Sequence, residues 1–517
     1  MGMKRTVFSC LFFLFLASVI HSQPAVDDKL KELLSGYLSN DLQLKKYTLE
    51  AQKKALALSS VKIDNGIDVS LSSGNVSITT DMSDSTKITF TPSVSAAVPQ
   101  ANNLSLDFSL PYTVEDGNKT VDGGSLSVSV GIISDAAKKR NLSILEAERA
   151  LLEAKRNVTD RAVSAEKEFY SALKSLYNYA ITIQTKKNDL YDDTVDLKVL
   201  ETQGYSKTSA KYRQASLQVD SDRRAVHEYE RLFERETAIF AMKCGKTFTR
   251  SSAAYDEKKE KGEAPGNYDP EKAGNLAYES AMAFLPDSIP KVKAERIFEY
   301  DRNTYSKTES AAWDKYIGEL TREADYDMTL TATGEYKFNS NTSGYDDAGG
   351  KLSFNWKGIS ASAGAYVPTG KNTFDSASSF SKNDNPYFQF SLTLTPNEWR
   401  MAGISKQQDA IDAQIEDIAI NDAHDDYEEE ILAKVSTFHD IKWSERSYEE
   451  EYDMYTKLES DMAKWLEQGI VTENDYLDAK CSREKARLNI IINAIDLIIY
   501  NDEVKLLFHA EADGVEK

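Results

Sequence analysis

Two helical patterns of about 70 residues each, from about Ser134 to Gln203 and from about Met401 to Gln468, set the limits on this chain. At 1.5 Å per residue each is roughly 100 Å long, about twice the width of an ordinary globular domain of this mass. Helices of that length cannot be wrapped into one compact core, and an elongated molecule is expected. In the first of them Ala147, Leu151, Ala154, Val158, Ala162, Ala165, Phe169, Ala172, Leu176, Tyr179 and Ile183 recur at spacings of mostly three and four. That is a coiled-coil-like seam, and its alanines let neighbouring helices approach closely. Each long pattern ends at a glycine, and a second helical pattern follows. Gly204 precedes a helix from about Thr208 to Met242, closed by Gly245, and Gly469 precedes one running to about Leu507.

The order helix, strands, long helix, break, helix is read twice, about 265 residues apart, which points to internal duplication. The expected fold is α+β. The first repeat covers 23–245, opening with helix from about Asp27 to Ser60, then strands over about 63–133 and a helical hairpin over 134–245. Residues 246–272 form a linker or equatorial segment; Lys258-Lys259-Glu260-Lys261-Gly262-Glu263-Ala264-Pro265-Gly266 has the composition of a solvated excursion. The second repeat covers 273–517, with helix from about Ala273 to Ala324 interrupted near Pro286 and Pro290, strands over about 326–396 and a hairpin over 401–510.

The strand regions alternate in type. Leu104, Leu106, Phe108 and Leu110 alternate with Ser105, Asp107 and Ser109, and Leu126, Val128 and Val130 with Ser125, Ser127 and Ser129. In the second repeat Met328–Phe338 and Leu352–Val367 each read as strand, and Phe388, Phe390, Leu392 and Leu394 alternate with Gln389, Ser391, Thr393 and Thr395. Period-two alternation gives one apolar and one polar face. A soluble sandwich with one buried face and a membrane barrel both satisfy that pattern.

Lys4 and Arg5, the apolar run Val7 to Ile20 and the small and polar residues around Ser22 and Gln23 read as a secretory signal peptide over 1–22. Cys10 has too little before it for a lipid-anchored start. No other apolar stretch approaches the ~20 residues of a spanning helix, so membrane residence requires a barrel. Removing Lys4 and Arg5 takes the formal charge from -21 to -23, which disfavours nucleic acid and anionic surfaces as partners. Cys244 and Cys481 are placed tens of ångströms apart along the helices and are expected to be free thiols. His227, His424, His439 and His509 are scattered, and neither a His-Glu-x-x-His pair, a Gly-rich phosphate loop nor a nucleophile elbow is present. Neither catalysis nor a cofactor or metal is therefore expected; acidic runs such as Glu428-Glu429-Glu430 read as solvated helix faces.

As a pattern of elements the chain resembles the TolC-like outer-membrane efflux protein family over nearly its whole mature length, and two types of short segment are close to it. The first is the entry of a strand into a long helix: Leu392-Thr393-Leu394-Thr395-Pro396-Asn397-Glu398-Trp399-Arg400, with Gly124-Ser125-Leu126-Ser127-Val128-Ser129-Val130 before Ser134 as its counterpart. The second is the inter-helix turn, Gln468-Gly469-Ile470-Val471-Thr472-Glu473-Asn474-Asp475-Tyr476-Leu477-Asp478-Ala479, with the first-half partner running from Gln203-Gly204-Tyr205-Ser206-Lys207-Thr208 to Ala215. Unaided by any family, Gly469 suits a left-handed helix end, and Thr472 with Asp475 is a capping-box-like start.

The resemblance implies an outer-membrane channel subunit with a large periplasmic part. Three copies, a homotrimer, would close a membrane β-barrel in outer-membrane lipid and a tapered periplasmic α-helical barrel. It implies a passive export conduit for efflux or type I secretion, energised by an inner-membrane transporter through a periplasmic adaptor (membrane fusion) protein. By position the adaptor-docking tips are Gly204, Tyr205, Ser206, Gly469, Ile470 and Thr472. Asp475 and Asp478 match the acidic ring of the family's periplasmic entrance, where three copies would favour cations. The alternative for that pair is helix capping and solvation. The basic residue often found in the second turn is replaced by Ile470 and Val471, and the first half carries Lys211 and Arg213 near the positions of Asp475 and Leu477. A periplasmic coiled-coil adaptor or structural scaffold is the alternative reading of the whole chain. Because both helices of each half lie on one side of the membrane, each half crosses an even number of times. Two crossings is the familiar count; the extra strand-like stretches Ile88–Val98 and Leu104–Tyr112 either raise it to four or form long extracellular hairpins.

Overall fold

The computed structural model describes residues 28–74, 76–80, 86–115, 117–121, 123–250, 270–325, 328–339, 344–374 and 385–509. The expected signal peptide over 1–22 and most of the expected 246–272 linker lie outside these described residues. The described chain runs α1 (Asp28–Asn40), α2 (Leu42–Asp64), β1 (Asp68–Ser72), β2 (Ser77–Thr80), β3 (Thr86–Phe90), β4 (Ser93–Val98), β5 (Leu104–Ser109), β6 (Tyr112–Glu115), β7 (Asn118–Val121) and β8 (Gly124–Ile133). It continues with α3 (Ala136–Thr202), α4 (Ala210–Lys243), α5 (Pro270–Phe284), two 3₁₀ turns, α6 (Ser306–Ala324), β9 (Met328–Phe338), β10 (Asp347–Trp356), β11 (Ile359–Pro368), β12 (Tyr387–Leu394), α7 (Pro396–Glu467) and α8 (Glu473–Leu507). The two long helices are 67 and 72 residues.

The residues cluster into two compact units, and neither follows the sequence halves. One comprises 1–47, 156–306 and 426–517; the other comprises 48–155 and 307–425. The first is helical. Its core gathers Phe169, Leu173, Leu176, Tyr177, Ala180 and Ile183 of α3 with Phe233 and Phe240 of α4 and Leu488, Ile491, Ile492, Ile495 and Ile498 of α8. Part of the alanine-rich seam read from the sequence is thus a buried helix face. Ion pairs run alongside it, Lys167 to Glu503 at 2.8 Å and Lys174 to Asp496 at 2.5 Å.

The second unit carries the sheets. Eight strands form one antiparallel sheet in the order β1-β4-β5-β8-β9-β10-β11-β12, and β2-β3-β6-β7 form another. Four strands of the large sheet come from each sequence half. The small sheet repeats the order of its neighbours because β1 continues into β2, β3 into β4, β5 into β6 and β7 into β8. Ile88–Val98 and Leu104–Tyr112, each expected as one stretch, are split between the sheets at Thr91-Pro92 and Leu110-Pro111. Proline has no N–H for the ladder, and the Leu110 N–H bonds the Pro92 carbonyl at 3.0 Å beside the break.

Leu352–Val367, read as a single strand, is a hairpin. Lys357 (φ 40°) and Gly358 (φ 81°) both have positive φ, which is the requirement of the two-residue turn that matches strand twist. The α7 helix begins five residues before the expected Met401, because Pro396 serves as its first helical residue, where a missing N–H costs nothing. The opening helix is two helices, since Asp41 interrupts it and accepts the Gln43 and Leu44 N–H groups at 2.7 and 3.0 Å.

The large sheet is amphipathic across its whole width. One register row reads Leu71, Val94, Phe108, Leu126 and Tyr336 across β1, β4, β5, β8 and β9. Another reads Ala332, Leu352, Ala363 and Phe390 across β9 to β12. The rows between them point to the opposite face and are polar: Ser70, Ser95, Asp107, Ser127, Glu335, Gly349 and Tyr366. That face is laced by Ser70–Ser95, Ser109–Ser125 and Ser129–Thr333 hydroxyl bonds of 2.7, 3.1 and 2.9 Å. Yet the apolar face is uncovered: Leu71 is 81% exposed, Phe388 69%, Phe390 79% and Leu392 67%.

Candidate functional site

The site residues named from the sequence sit where two helical hairpins turn, all within the helical unit. At the first turn the Tyr205 N–H bonds the Leu200 carbonyl at 3.1 Å and the Gly204 N–H bonds Glu201 at 3.0 Å. At the second the Ile470 N–H bonds Trp465 at 2.9 Å and the Gly469 N–H bonds Leu466 at 3.0 Å. Both are Schellman closures, with Gly204 at φ 79° and Gly469 at φ 69° taking the left-handed position. Tyr205 and Ile470 occupy the same place after their glycines and are exposed, 41% and 66%.

The turns differ in how the next helix starts. Thr472 and Asp475 form a complete capping box: the Asp475 N–H bonds Thr472 Oγ1 at 3.2 Å, and the Thr472 N–H bonds Asp475 Oδ2 at 2.8 Å. The Thr472 hydroxyl adds a 2.7 Å bond to the same oxygen. These bonds hold the Asp475 carboxyl below the usual carboxylate range. In the first turn the cap is Ser209, which accepts from the Tyr212 N–H, and Thr208, the residue aligned with Thr472, is not. Thr208 is drawn back by Ser206, whose Oγ accepts its N–H at 3.2 Å. No acid follows at the third position; instead Lys211 lies over the Tyr205 ring at 5.1 Å and the Tyr212 hydroxyl donates to Glu201 at 2.7 Å. Thr472→Ala is expected to speed hydrogen exchange of the first-turn amides of α8 about fivefold, the factor for a typical lost N-cap, while exchange in the first turn of α4 stays unchanged.

Asp475 and Asp478 have separate partners. Asp475 caps α8, whereas Asp478 accepts a hydrogen bond from the Asn188 side chain on α3. That contact places Asp478 within an acidic group that the sequence reading missed. Asp192 is pushed up by burial and then by Asp478, Asp189 and Asp196, with the Asn474 side chain opposing the shift. Asp193, on the neighbouring face, shares a hydrogen bond with the buried Asp222 of α4, which pushes it up to about 6. The clustering at Asp189, Asp192, Asp193 and Asp196 is visible in sequence at helical spacing. Its convergence with Asp478 and Asp222 depends on how three helices pack. Among the described residues no group of histidine, cysteine or acidic side chains is arranged to hold a metal ion, and Cys244 and Cys481 are free.

The chain combines an amphipathic antiparallel sheet with long helical hairpins. The chain belongs to the TP096X family: residues 33–261 match the TP096X N-terminal domain and residues 290–511 the TP096X C-terminal domain. No curated protein matches it. Among solved structures it is similar to outer-membrane channels of the TolC-like type. The outer membrane protein VceC of Vibrio cholerae is 11% identical at a TM-score of 0.45, over 93% of this chain and 97% of that one. The outer membrane channel CmeC of Campylobacter jejuni is 11% identical at 0.44, over 94% and 88%. The outer membrane channel MtrE of Neisseria gonorrhoeae, in its open state, is 11% identical at 0.41, over 93% and 94%.

Proposed function

We propose that this chain is the subunit of an outer-membrane channel, a passive conduit whose copies close a membrane barrel. The observation that carries the reading is the exposed apolar face of the large sheet, backed by a continuous polar face. In water such a face has no cover. In a bilayer it meets lipid, and the serines, threonines, Asp107 and Glu335 of the other face line an aqueous interior. Strands β8 to β11 have 10 or 11 residues, within the ~9–11 that a tilted spanning strand needs. Every strand pair in the sheet is antiparallel, so eight strands give an even number of crossings. The edges β1 and β12 are unpaired among the described residues, and lipid does not tolerate open edges; β12 of one copy therefore pairs with β1 of the next, in the TolC-like manner as a homotrimer.

In the same reading the sequence halves are repeats, and the hairpin turns at Gly204, Tyr205, Ser206 and at Gly469, Ile470, Thr472 dock a periplasmic adaptor coupled to an inner-membrane transporter. Asp478 with its α3 neighbours, and Asp475 at the helix start, supply negative charge at the periplasmic entrance for efflux or secretion. Conductance in planar bilayers tests the channel and entrance together. Wild type gives cation-selective currents, and Asp475→Asn/Asp478→Asn lowers the cation preference severalfold. Unchanged selectivity removes the entrance role; the absence of currents from folded oligomer moves the protein to a periplasmic scaffold.

A further inference from the structure

We propose that the apolar face of the large sheet carries a phospholipid site: an acyl chain of one periplasmic-leaflet phospholipid lies along β11, and its phosphate meets Arg400 at the start of α7. The inference rests on the channel reading above, which puts this face in lipid, and names one lipid held at a fixed place on it. Over β11 the face is not level. The residues of that strand on the apolar side include Ala361, Ala363 and Ala365, and large side chains flank them. Across β10, β11 and β12 the register reads Phe354-Ala361-Leu392, Leu352-Ala363-Phe390 and Gly350-Ala365-Phe388. Ile359 continues the lane toward α7, between Trp356 and Leu394.

The alanines floor a trough of about 570 Å³, walled by Leu352 and Phe354 on one side and Phe390 and Leu392 on the other. Its proportions suit a single hydrocarbon chain. Neighbouring strands lie ~4.8 Å apart, so β10 and β12 stand roughly 10 Å apart, and the side chains that rise from them narrow the gap. From Ala361 to Ala365 the floor is ~13 Å long at ~3.3 Å per residue. One leaflet of a hydrocarbon core ~30 Å thick is ~15 Å deep. An empty trough forfeits the dispersion contacts of its walls, and a lipid tail restores them. Among the described residues the first-half strands have no such lane. Their apolar side carries Val94, Ala96 and Val98 on β4, Leu104, Leu106 and Phe108 on β5, and Leu126, Val128 and Val130 on β8.

The end of the lane toward α7 has the chemistry of a headgroup level. There the chain turns at Lys357-Gly358, and the Thr395 N–H bonds the Gly358 carbonyl at 2.8 Å, which fixes the start of α7 beside that turn. Trp356 precedes the turn and Trp399 lies in the first turns of α7; they are 36% and 45% exposed. Exposed tryptophans belong at the boundary of bilayer and water, where the ring meets hydrocarbon and the N–H meets the headgroups. Arg400 follows Trp399 and is exposed. A guanidinium presents paired N–H donors that match phosphate oxygens. Apolar trough, tryptophan boundary and arginine thus follow in the order of a phospholipid's tail, glycerol and phosphate.

Native mass spectrometry of the purified protein in mild detergent, titrated with phosphatidylglycerol or phosphatidylcholine, tests the site. Wild type is expected to retain one phosphatidylglycerol per subunit. Ala361→Leu/Ala363→Leu fills the floor from the outward side and is expected to weaken that retention about tenfold. Ala96→Leu, the same change on the same face away from the trough, is expected to leave it unaltered. Arg400→Gln is expected to reduce the preference for phosphatidylglycerol over phosphatidylcholine severalfold, because the choline cation repels an arginine. Retention that the double leucine variant does not change overturns the site, and a preference that Arg400→Gln does not change overturns its headgroup end. A wild type that conducts in bilayers yet retains no lipid refutes the trough and leaves the channel standing. A wild type that neither inserts nor conducts removes both.

Discussion

Phe390→Arg is expected to remove the protein from the membrane, and Gln389→Arg, one residue earlier, to leave it there. Phe390 lies in the middle of β12, 79% exposed, in register with Ala363 of the apolar face. In the proposed barrel an arginine on the lipid side near the bilayer midplane costs roughly 2–4 kcal/mol per copy, and each copy would carry it once. Gln389 is in register with Gly364 on the polar face, where in the proposed barrel an added charge would face water and alter conductance instead. Membrane fractionation and oligomer stability in detergent measure the difference, which should exceed tenfold between the two variants. Equal behaviour of both variants would contradict the assignment of lipid and lumen faces.

The second large effect lies in the helical unit. Phe169 is fully buried, with ring centroids of Tyr37, Tyr170 and Phe240 at 5.6, 5.2 and 5.3 Å. It joins α1, α3 and α4 where the helices converge. Phe169→Ala empties that position and is expected to cost about 3–5 kcal/mol. Hydrogen exchange should rise across the buried stretches of α3, α4 and α8. The sheet lies in the other compact unit, and its β8 to β12 amides should stay protected. Loss of protection in both units at once would mean that they unfold as one.

Much of the architecture was legible because long helices and half-buried strands write their periodicity into the chain. The hairpin turns could be located from Gly204 and Gly469, since a left-handed closing residue is a local requirement. The box at Thr472 and Asp475 was also local, three residues apart. Less legible were the places where one residue overrides a pattern. Pro92 and Pro111 divide strands whose alternation runs on through them, Lys357-Gly358 folds an apparent single strand back on itself, and Ser206 moves a cap from Thr208 to Ser209. The acidic group at Asp478 was half legible: four aspartates of α3 stand in line in the sequence, but nothing local links them to Asp222 or to α8.

The sequence by itself determined the element types, the amphipathic faces and the two hairpin turns, because each depends on contacts within a few residues along the chain. Tertiary structure decided the rest. It put four strands from each half into one sheet, exposed that sheet's apolar face, and left β1 and β12 unpaired among the described residues. Those features depend on which strands and helices neighbour one another across hundreds of residues, and periodicity marks a face as apolar without saying what covers it.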